Sequence, residues 1–593
     1  MKGLTTEERA VEKTMVEACS SDELWKHSEA IARWDRLSGA PEERESFDYL
    51  RRTLEEYGVS TEFYEWESLV SYPIRAALEA LSPEKRSFQC LTHSFATSTS
   101  QGGLEGEVVY VGAGDQQSLK GLNIRGKIAL VEGLANPLKQ YTLESHGSLA
   151  QIFINDQHLH NMIVTTIWGT PTPTTKDRIP KTPSVAIVRN DGEWLKALLH
   201  KGSVRVRMET ETWTGWKMLP CLIGTVRGAK EPDDYIMMSG HVDSWHLGAM
   251  DNGTANATTL EVARLFARHR ENMRRSLKVA FWSGHSHGRY AGSTWYADHF
   301  WEEIYDHCLA HVNIDSTGAK GATWYARLHT MAETKGLAEE IVKEFTGQDA
   351  RGSRIGRAGD QSFWGIGLPS FYMTLSQVPP ERRAEQAEGV AGLIGGGGGG
   401  MPWWWHTIDD TIDKVDRGIL TLDTKIYVST IFRLCNSPVL PLDYREVANE
   451  YRGVLTDLQR KGEKVLDLTS LLRKVDELQE QLDSLYRQIG TILEACEQGS
   501  RDEKKIAALN RCIKMLGRLL VPVNYTSMGP FDHDLAIPIP PLPSLQPVAE
   551  LASLDPESNE FKFLRASLIR QRNRVFHALK EATEMVKETV GVM

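Results

Sequence analysis

The chain has 593 residues, a formal net charge of -11, and 41% hydrophobic against 25% charged residues. So long a chain does not close around one core, and two to four domains of ordinary globular composition are expected. The acidic balance excludes nucleic acid as a main partner, because phosphate recognition needs a basic face.

The first segment reads as helical. DELWKHSEAIARW spaces Leu24, Ile31 and Trp34 on a helix, and a second helix through Phe47, Leu50 and Leu54 ends at Gly58. VSTEFYEWE then alternates as a strand. From about 85 to 212 the texture becomes short β-branched runs between Gly, Asp and Asn, as in GEVVYVG, GKIALVEG, SLAQIFIND and SVAIVRN. This predicts a β-rich module inserted into another domain; the other reading is that these strands join one larger sheet. From about 213 to 440 strands and helices alternate: YIMMSGH, ATTLEVARLFARH, LKVAFWSGH, STWYADHFWEEI, CLAHVNID, PSFYMTL and TLDTKIYVSTIFRLCN. That order predicts an α/β fold with a central, mostly parallel mixed sheet flanked by helices, whose ligands sit at the carboxyl ends of strands. From 441 to 593 the chain is nearly all helical, with Leu468, Leu472, Val475, Leu478, Leu482, Leu485, Ile489 and Ile492 at three- and four-residue spacing. This domain packs as a bundle or against a partner subunit, and a Pro-rich connector at 536–548 precedes its last helix.

Seven scattered cysteines without a CxxC fit a reducing cytoplasm better than a disulfide framework. The charged start MKGLTTEERAVEK lacks the apolar stretch of a signal peptide. The longest uncharged run, 389–405, is glycine-rich and short of a bilayer span, so no membrane partner is expected.

The chemistry concentrates at the ends of the strands in the third segment. His241 follows YIMMSG, with Asp243 two residues on; Asp251 opens a helix, Asp315 ends HVNID, and His406 lies in WWWHTIDDTID. Histidine with carboxylate is a natural zinc donor mix, and a carboxylate can bridge two ions. Each residue alone reads equally well as a cap or hydrogen-bond partner.

In this order the motifs HxD, DNG, a strand-end Asp and HTxxDTxD resemble the co-catalytic zinc aminopeptidase family. The wider layout is similar to its transferrin receptor and glutamate carboxypeptidase II-like branch. GDQSFWGIGLPSF resembles the family's SDHxxFxxxGIP element, and GRLLVPVNYTSMGPFDHD its helical domain. The resemblance implies a peptidase-like domain begun by residues 1–84 and continued by 213–440. A protease-associated β domain would occupy 85–212, and a helical homodimerisation domain 441–593. It implies one or two zinc ions held by His241, Asp251, Asp315 and His406, Asp251 bridging, and Asp243 orienting His241.

The sequence departs where the family carries two adjacent glutamates, one the general base and one a ligand. Here SGHSHGRYAGS places His285 on the base position and Ser286 on the ligand position, with His287 next. One reading is a metal-dependent hydrolase of an amide or peptide bond in a small substrate. His285 or His287 is then catalytic, since an imidazole accepts a proton near neutral pH, and metal-bound water is the nucleophile. The other readings are a silent binding or scaffold protein like the transferrin receptor, and a related acyl transfer. Around this site Arg289, Arg354 and Arg357 are candidates for binding a substrate carboxylate, or else solvated cations. Trp405, with Trp403 and Trp404, lines the pocket or packs in the core. The lid is expected over 377–405, made flexible by GLIGGGGGG.

Overall fold

The computed structural model describes residues 3–372, 374–387 and 400–593. The glycine-rich heart of the expected lid, 388–399, lies outside the described residues. Its flanks are pinned, because Val378 N donates to Gly400 O and Ala387 N to Met401 O (3.1 and 2.8 Å).

Three helices open the chain: α1 (Thr6–Glu17), α2 (Ser21–Ile31) and α3 (Pro41–Glu56). Thr5 and Ser20 cap the first two through their hydroxyls, and Pro41 starts the third where a missing N–H costs nothing. Strand β1 (Ser60–Ser82) runs far beyond the alternating segment at its start. The parallel strands β2 (Leu104–Tyr110), β3 (Ile128–Glu132), β4 (Ala150–Ile154) and β5 (Ser184–Ile187) follow, around a core that includes Val108, Ile152 and Leu195. Strand β6 (Arg205–Val226) then pairs antiparallel with β1 along its whole length, from Ser60 opposite Thr225 to Ser82 opposite Arg205. Since β2 pairs with the far end of β6, the inserted strands are continuous with the main sheet. A boundary at 212/213 therefore cuts through the middle of β6, and the reading as one larger sheet describes the hydrogen bonding.

The sheet continues through β7 (Glu231–His241), β8 (Arg275–Trp282), β9 (Cys308–Asn313), β10 (Arg327–Thr330), β11 (Arg351–Arg354) and β12 (Ser370–Phe371). Its order is β11-β10-β12-β9-β7-β8-β6, and β12, β9, β7 and β8 run parallel. These parallel strands are largely buried on both faces, which is why β7, β8 and β9 carry apolar stretches such as YIMM and VAFW rather than a strict alternation. Helices α4 (Ala255–Arg268), α5 (Ala291–His299) and α6 (Arg417–Asn436) flank them. The expected single helix over 293–304 is interrupted at Phe300, which leaves helical geometry (φ -117°) and packs on Trp295 and Tyr296.

The C-terminal region is helical, built on α7 (Tyr444–Gly462), α8 (Thr469–Glu497), α9 (Glu503–Tyr525) and α10 (Asn559–Gly591). The periodic Val475, Leu478, Leu482 and Leu485 of α8 are buried. They belong to one apolar core shared with β7, β8 and α6. Arg518 of α9 fastens the two regions. Its guanidinium is buried and donates to the carbonyls of Ile304, Tyr305, Cys308 and Gly367 at 2.5–3.2 Å. Replacing it removes four hydrogen bonds at once. We expect Arg518→Met to lower unfolding stability by about 3 kcal/mol, read as a lower urea midpoint; an unchanged midpoint would remove Arg518 from this role.

Candidate metal centre

Strands β7, β8 and β9 end side by side, and each delivers chemistry at its carboxyl end: His241, the 283–287 turn, and Asp315. Asp251 comes from a buried non-helical turn leading into α4. Its two oxygens face different imidazoles: Oδ1 is 3.1 Å from His241 Nε2, and Oδ2 is 3.0 Å from His406 Nε2. Asp315 Oδ2 lies 3.7 Å from His241 Nε2. His285 brings a further ring, stacked on His241 with centroids 3.8 Å apart. One donor atom each from His241, His285 and Asp315 falls within 4.8 Å of the others.

This donor set fits a divalent cation. His241 Nε2 and Asp251 Oδ1 are buried atoms without a hydrogen-bond partner, although they face one another. Burial alone would lower the His241 pKa, yet Asp251 and Asp315 raise it well above the ordinary value: the site favours positive charge. Imidazole nitrogens and carboxylate oxygens are borderline donors that suit zinc.

The remaining ring nitrogens are fixed by the main chain. His241 Nδ1 donates to the carbonyl of Asp243 (2.7 Å), and His406 Nδ1 to that of Asn161 (2.7 Å), in the inserted segment. The expected orienting role of the Asp243 side chain is thus taken by its backbone. Its carboxylate instead accepts from His285 N (3.1 Å), Ser286 N (2.7 Å) and Ser38 Oγ (2.8 Å), and so shapes the turn after β8. Burial would raise the Asp243 carboxyl, but the His287 imidazole, with His241 and His285 nearby, holds it below the usual range.

Three supporting residues escaped the sequence reading. Asp360 accepts from His285 Nδ1 (2.9 Å) and from Ser293 Oγ (2.9 Å). Asp410 accepts from the backbone N–H groups of Met250 and Asp251 (2.9 and 3.0 Å), and burial pushes its carboxyl up to about 7. Arg36, fully buried, donates to the carbonyls of Ile31, Trp34, Val242, Leu247 and Gly248 and clamps the loop after His241. Asp360 and Asp410 stand in motifs already singled out, GDQSFWGIG and HTIDDTID; nothing local marks Arg36.

His285, Ser286, Asp251, Asp315, His406, Arg289 and Trp405 share one cavity of about 80 Å³ with Met162, Ile163, Trp245, Tyr290 and Met401. His287 is not among them. It is buried 3.0 Å from Ser38 Oγ and packed against Trp245 and Tyr72, so as a catalytic candidate it is misplaced. Arg354 is also corrected: it pairs with Glu450, donates to Asn524 O and lies 3.7 Å over Tyr525, fastening β11 to the helical region. Arg357 donates to Gln361 O and Asp534 O and covers Trp168. Of the three tryptophans, Trp405 reaches the cavity, Trp404 is core, and Trp403 stacks on His158.

Residues 222–427 match the family model for Peptidase family M28. A probable glutamate carboxypeptidase VP8 of Zea mays is 22% identical over 74% of this chain and 70% of its own length. Carboxypeptidase Q of Mus musculus is 21% identical over 44% of this chain, which spans 58% of that protein. Among solved structures, an aminopeptidase from Aneurinibacillus sp. strain AM-1 superposes with a TM-score of 0.54 at 20% identity, over 71% of this chain and 95% of its own. A Peptidase M28 precursor from Shewanella amazonensis gives 0.56 at 18%, over 73% and 97%.

Asp410 touches no proposed donor side chain directly but holds the backbone that presents Asp251. We expect Asp410→Ala to weaken cation binding about 10- to 100-fold, measured by competition with a chelator; unchanged affinity would make the contact purely structural.

Proposed function

We propose that this chain, a member of peptidase family M28 through residues 222–427, is a zinc-dependent hydrolase of an amide or peptide bond in a small substrate. The observation that carries the reading is Asp251, whose two oxygens face His241 and His406 beside Asp315 and His285 in one cavity. His241, Asp251 and Asp315 would hold one ion, and Asp251 with His406 would contribute to a second position. That second position lacks a carboxylate where Ser286 stands. When bound, the ion polarises the scissile carbonyl and makes water a stronger nucleophile near neutral pH.

The chain's own residues supply the proton handling. Asp360 engages His285 Nδ1 and leaves Nε2 free for the cavity. In hydrolysis the C–N bond breaks, hydroxide adds to the carbonyl carbon and a proton passes to nitrogen. His285 Nε2 is placed to take that proton from water and return it to the leaving nitrogen. Met162, Ile163, Met401 and Trp405 keep bulk water away from the exchange.

Two wider assignments belong to the same reading. The inserted β segment serves as a protease-associated domain, supported by its contact with His406 through Asn161. The helical region 441–593 mediates homodimerisation, a reading that rests on its resemblance to the family's helical dimerisation domain. Seven free cysteines, five of them buried, favour a reducing, cytoplasmic setting. Among the described residues no helix is long and apolar enough to cross a membrane.

His285→Ala should keep its metal, measured by mass spectrometry of the purified protein, while turnover of a small peptide or N-acyl amino acid falls about a hundredfold. Metal loss in this variant would make His285 a ligand instead. Wild-type protein prepared without chelator and found to hold almost no metal would favour the silent, non-catalytic reading. Light scattering at micromolar concentration should give twice the chain mass; a clean monomer would end the dimer assignment.

A further inference from the structure

The catalytic cavity is lined by several charged side chains, and all but one are claimed by the metal centre. Among the described residues, Asp251, Asp315 and the imidazoles of His285 and His406 make up that centre, and Arg289 is the charge left over. Among the described residues, Arg289 donates no side-chain hydrogen bond and pairs with no carboxylate. Its Nε is buried without a hydrogen-bond partner among the described residues, and its guanidinium lies over the ring of Tyr290, with Cζ 4.8 Å from the centroid. Arg354 and Arg357, the other two candidates, direct their terminal nitrogens at fixed protein acceptors. A guanidinium held this way without an anion is costly, and burial pushes its pKa down.

The backbone shows the same investment in placing this side chain. Arg289 and Tyr290 are consecutive non-glycine residues in the left-handed region, at φ 51° and 67°. That conformation is sparsely populated for side chains of their size. It is kept because Gly169 N, from the inserted segment, donates to Arg289 O at 2.7 Å, and because Tyr290 meets the His285 ring edge-on at 4.8 Å.

Arg289 also lines a second, larger cavity of about 770 Å³ that adjoins the first. The charged side chains on its wall are Lys139, Arg289 and Arg357 against Asp115. Asp115 accepts from Ser118 N, within its own turn. In a chain of net charge -11, the approach to the site is therefore positive.

Resting on the hydrolase reading above, we infer that Arg289 receives a free carboxylate of the substrate, so that the amide cleaved adjoins such a carboxylate, as in an N-acyl amino acid or the last residue of a peptide. A planar fork of N–H donors matches a carboxylate's two oxygens. A substrate recognised by its free amino group would need an acidic partner. Among the described residues lining the cavity, the carboxylates are those of the metal centre. Met162, Ile163, Trp245 and Met401 accept an apolar side chain beside the anion.

The test compares N-acetyl-leucine with N-acetyl-leucinamide, which differ only in that carboxylate, on the zinc-loaded full chain. Calorimetry reads binding and product analysis reads hydrolysis. Wild type should bind the acid roughly 10- to 100-fold more tightly than the amide. Arg289→Met should erase that difference while leaving amide binding unchanged, and Arg289→Lys should restore part of it. Unchanged melting temperatures would establish that both variants fold. Equal binding of acid and amide by wild type, or a preference that survives Arg289→Met, would overturn the inference. A preference that depends on Arg289 without hydrolysis of either compound, or of leucine p-nitroanilide, would sustain the anion site and sink the hydrolase reading instead.

Discussion

The centre rests on a single electrostatic constraint: Glu43, Asp243, Asp251 and Asp410 are all buried in one corner of the sheet, with Asp315 beside them. Buried carboxylates repel one another and lack water, so each needs donors or a counter-charge. Arg36 is the buried cation nearest this group, but its N–H groups all go to backbone carbonyls. It acts by proximity, its own pKa lowered to about 10 by burial against the pull of Asp410, Asp243 and Asp251. Asp243 and Asp410 are satisfied by backbone N–H groups. Asp251 and Asp315 are left facing imidazoles. The fold has thus sorted its acids into those that hold loops and those that face imidazoles at the proposed metal centre.

This sorting also fixes the turn after β8, where the family resemblance predicts two glutamates and the chain carries His285 and Ser286. Asp243 binds the backbone of His285 and Ser286, so the turn keeps its shape whatever side chains it carries. A carboxylate, Asp360, stands behind His285 and holds its Nδ1. An imidazole backed by a carboxylate gains a fixed tautomer and orientation. Ser286 brings no carboxylate of its own, so the His406 side of the proposed centre is the poorer in donors.

Asp251 and His406 were reached through the motif resemblance; His241 and Asp315 were legible as neighbours because parallel strands end together, and a polar residue just past an apolar run marks such an end. The alternation of strand and helix carried the fold class for the same reason. What stayed hidden depends on contacts between distant segments. Asp360 reaches His285 across 75 residues, and Arg36 reaches Val242 across 206. Arg354 and Arg357 looked like anion binders because their donors are visible in a sequence and their acceptors, Glu450, Asn524 O and Asp534 O, are not. His287 looked catalytic by adjacency, but successive residues of a tight turn point apart, and its ring enters the protein interior. The limits of the inserted segment were blurred because β1 and β6 run without interruption from one part of the sheet to the other.

The bond from His406 to Asn161 has a thermodynamic corollary. It joins a residue of the centre to the inserted segment, and Asn161 N in turn donates to the His406 carbonyl at 2.9 Å. Linkage is reciprocal: any ligand that gains affinity from a correctly held His406 must stabilise the seating of the inserted segment by the same free energy. Occupancy of one half of the centre and closure of a neighbouring structural unit then form a single equilibrium, observed from two ends.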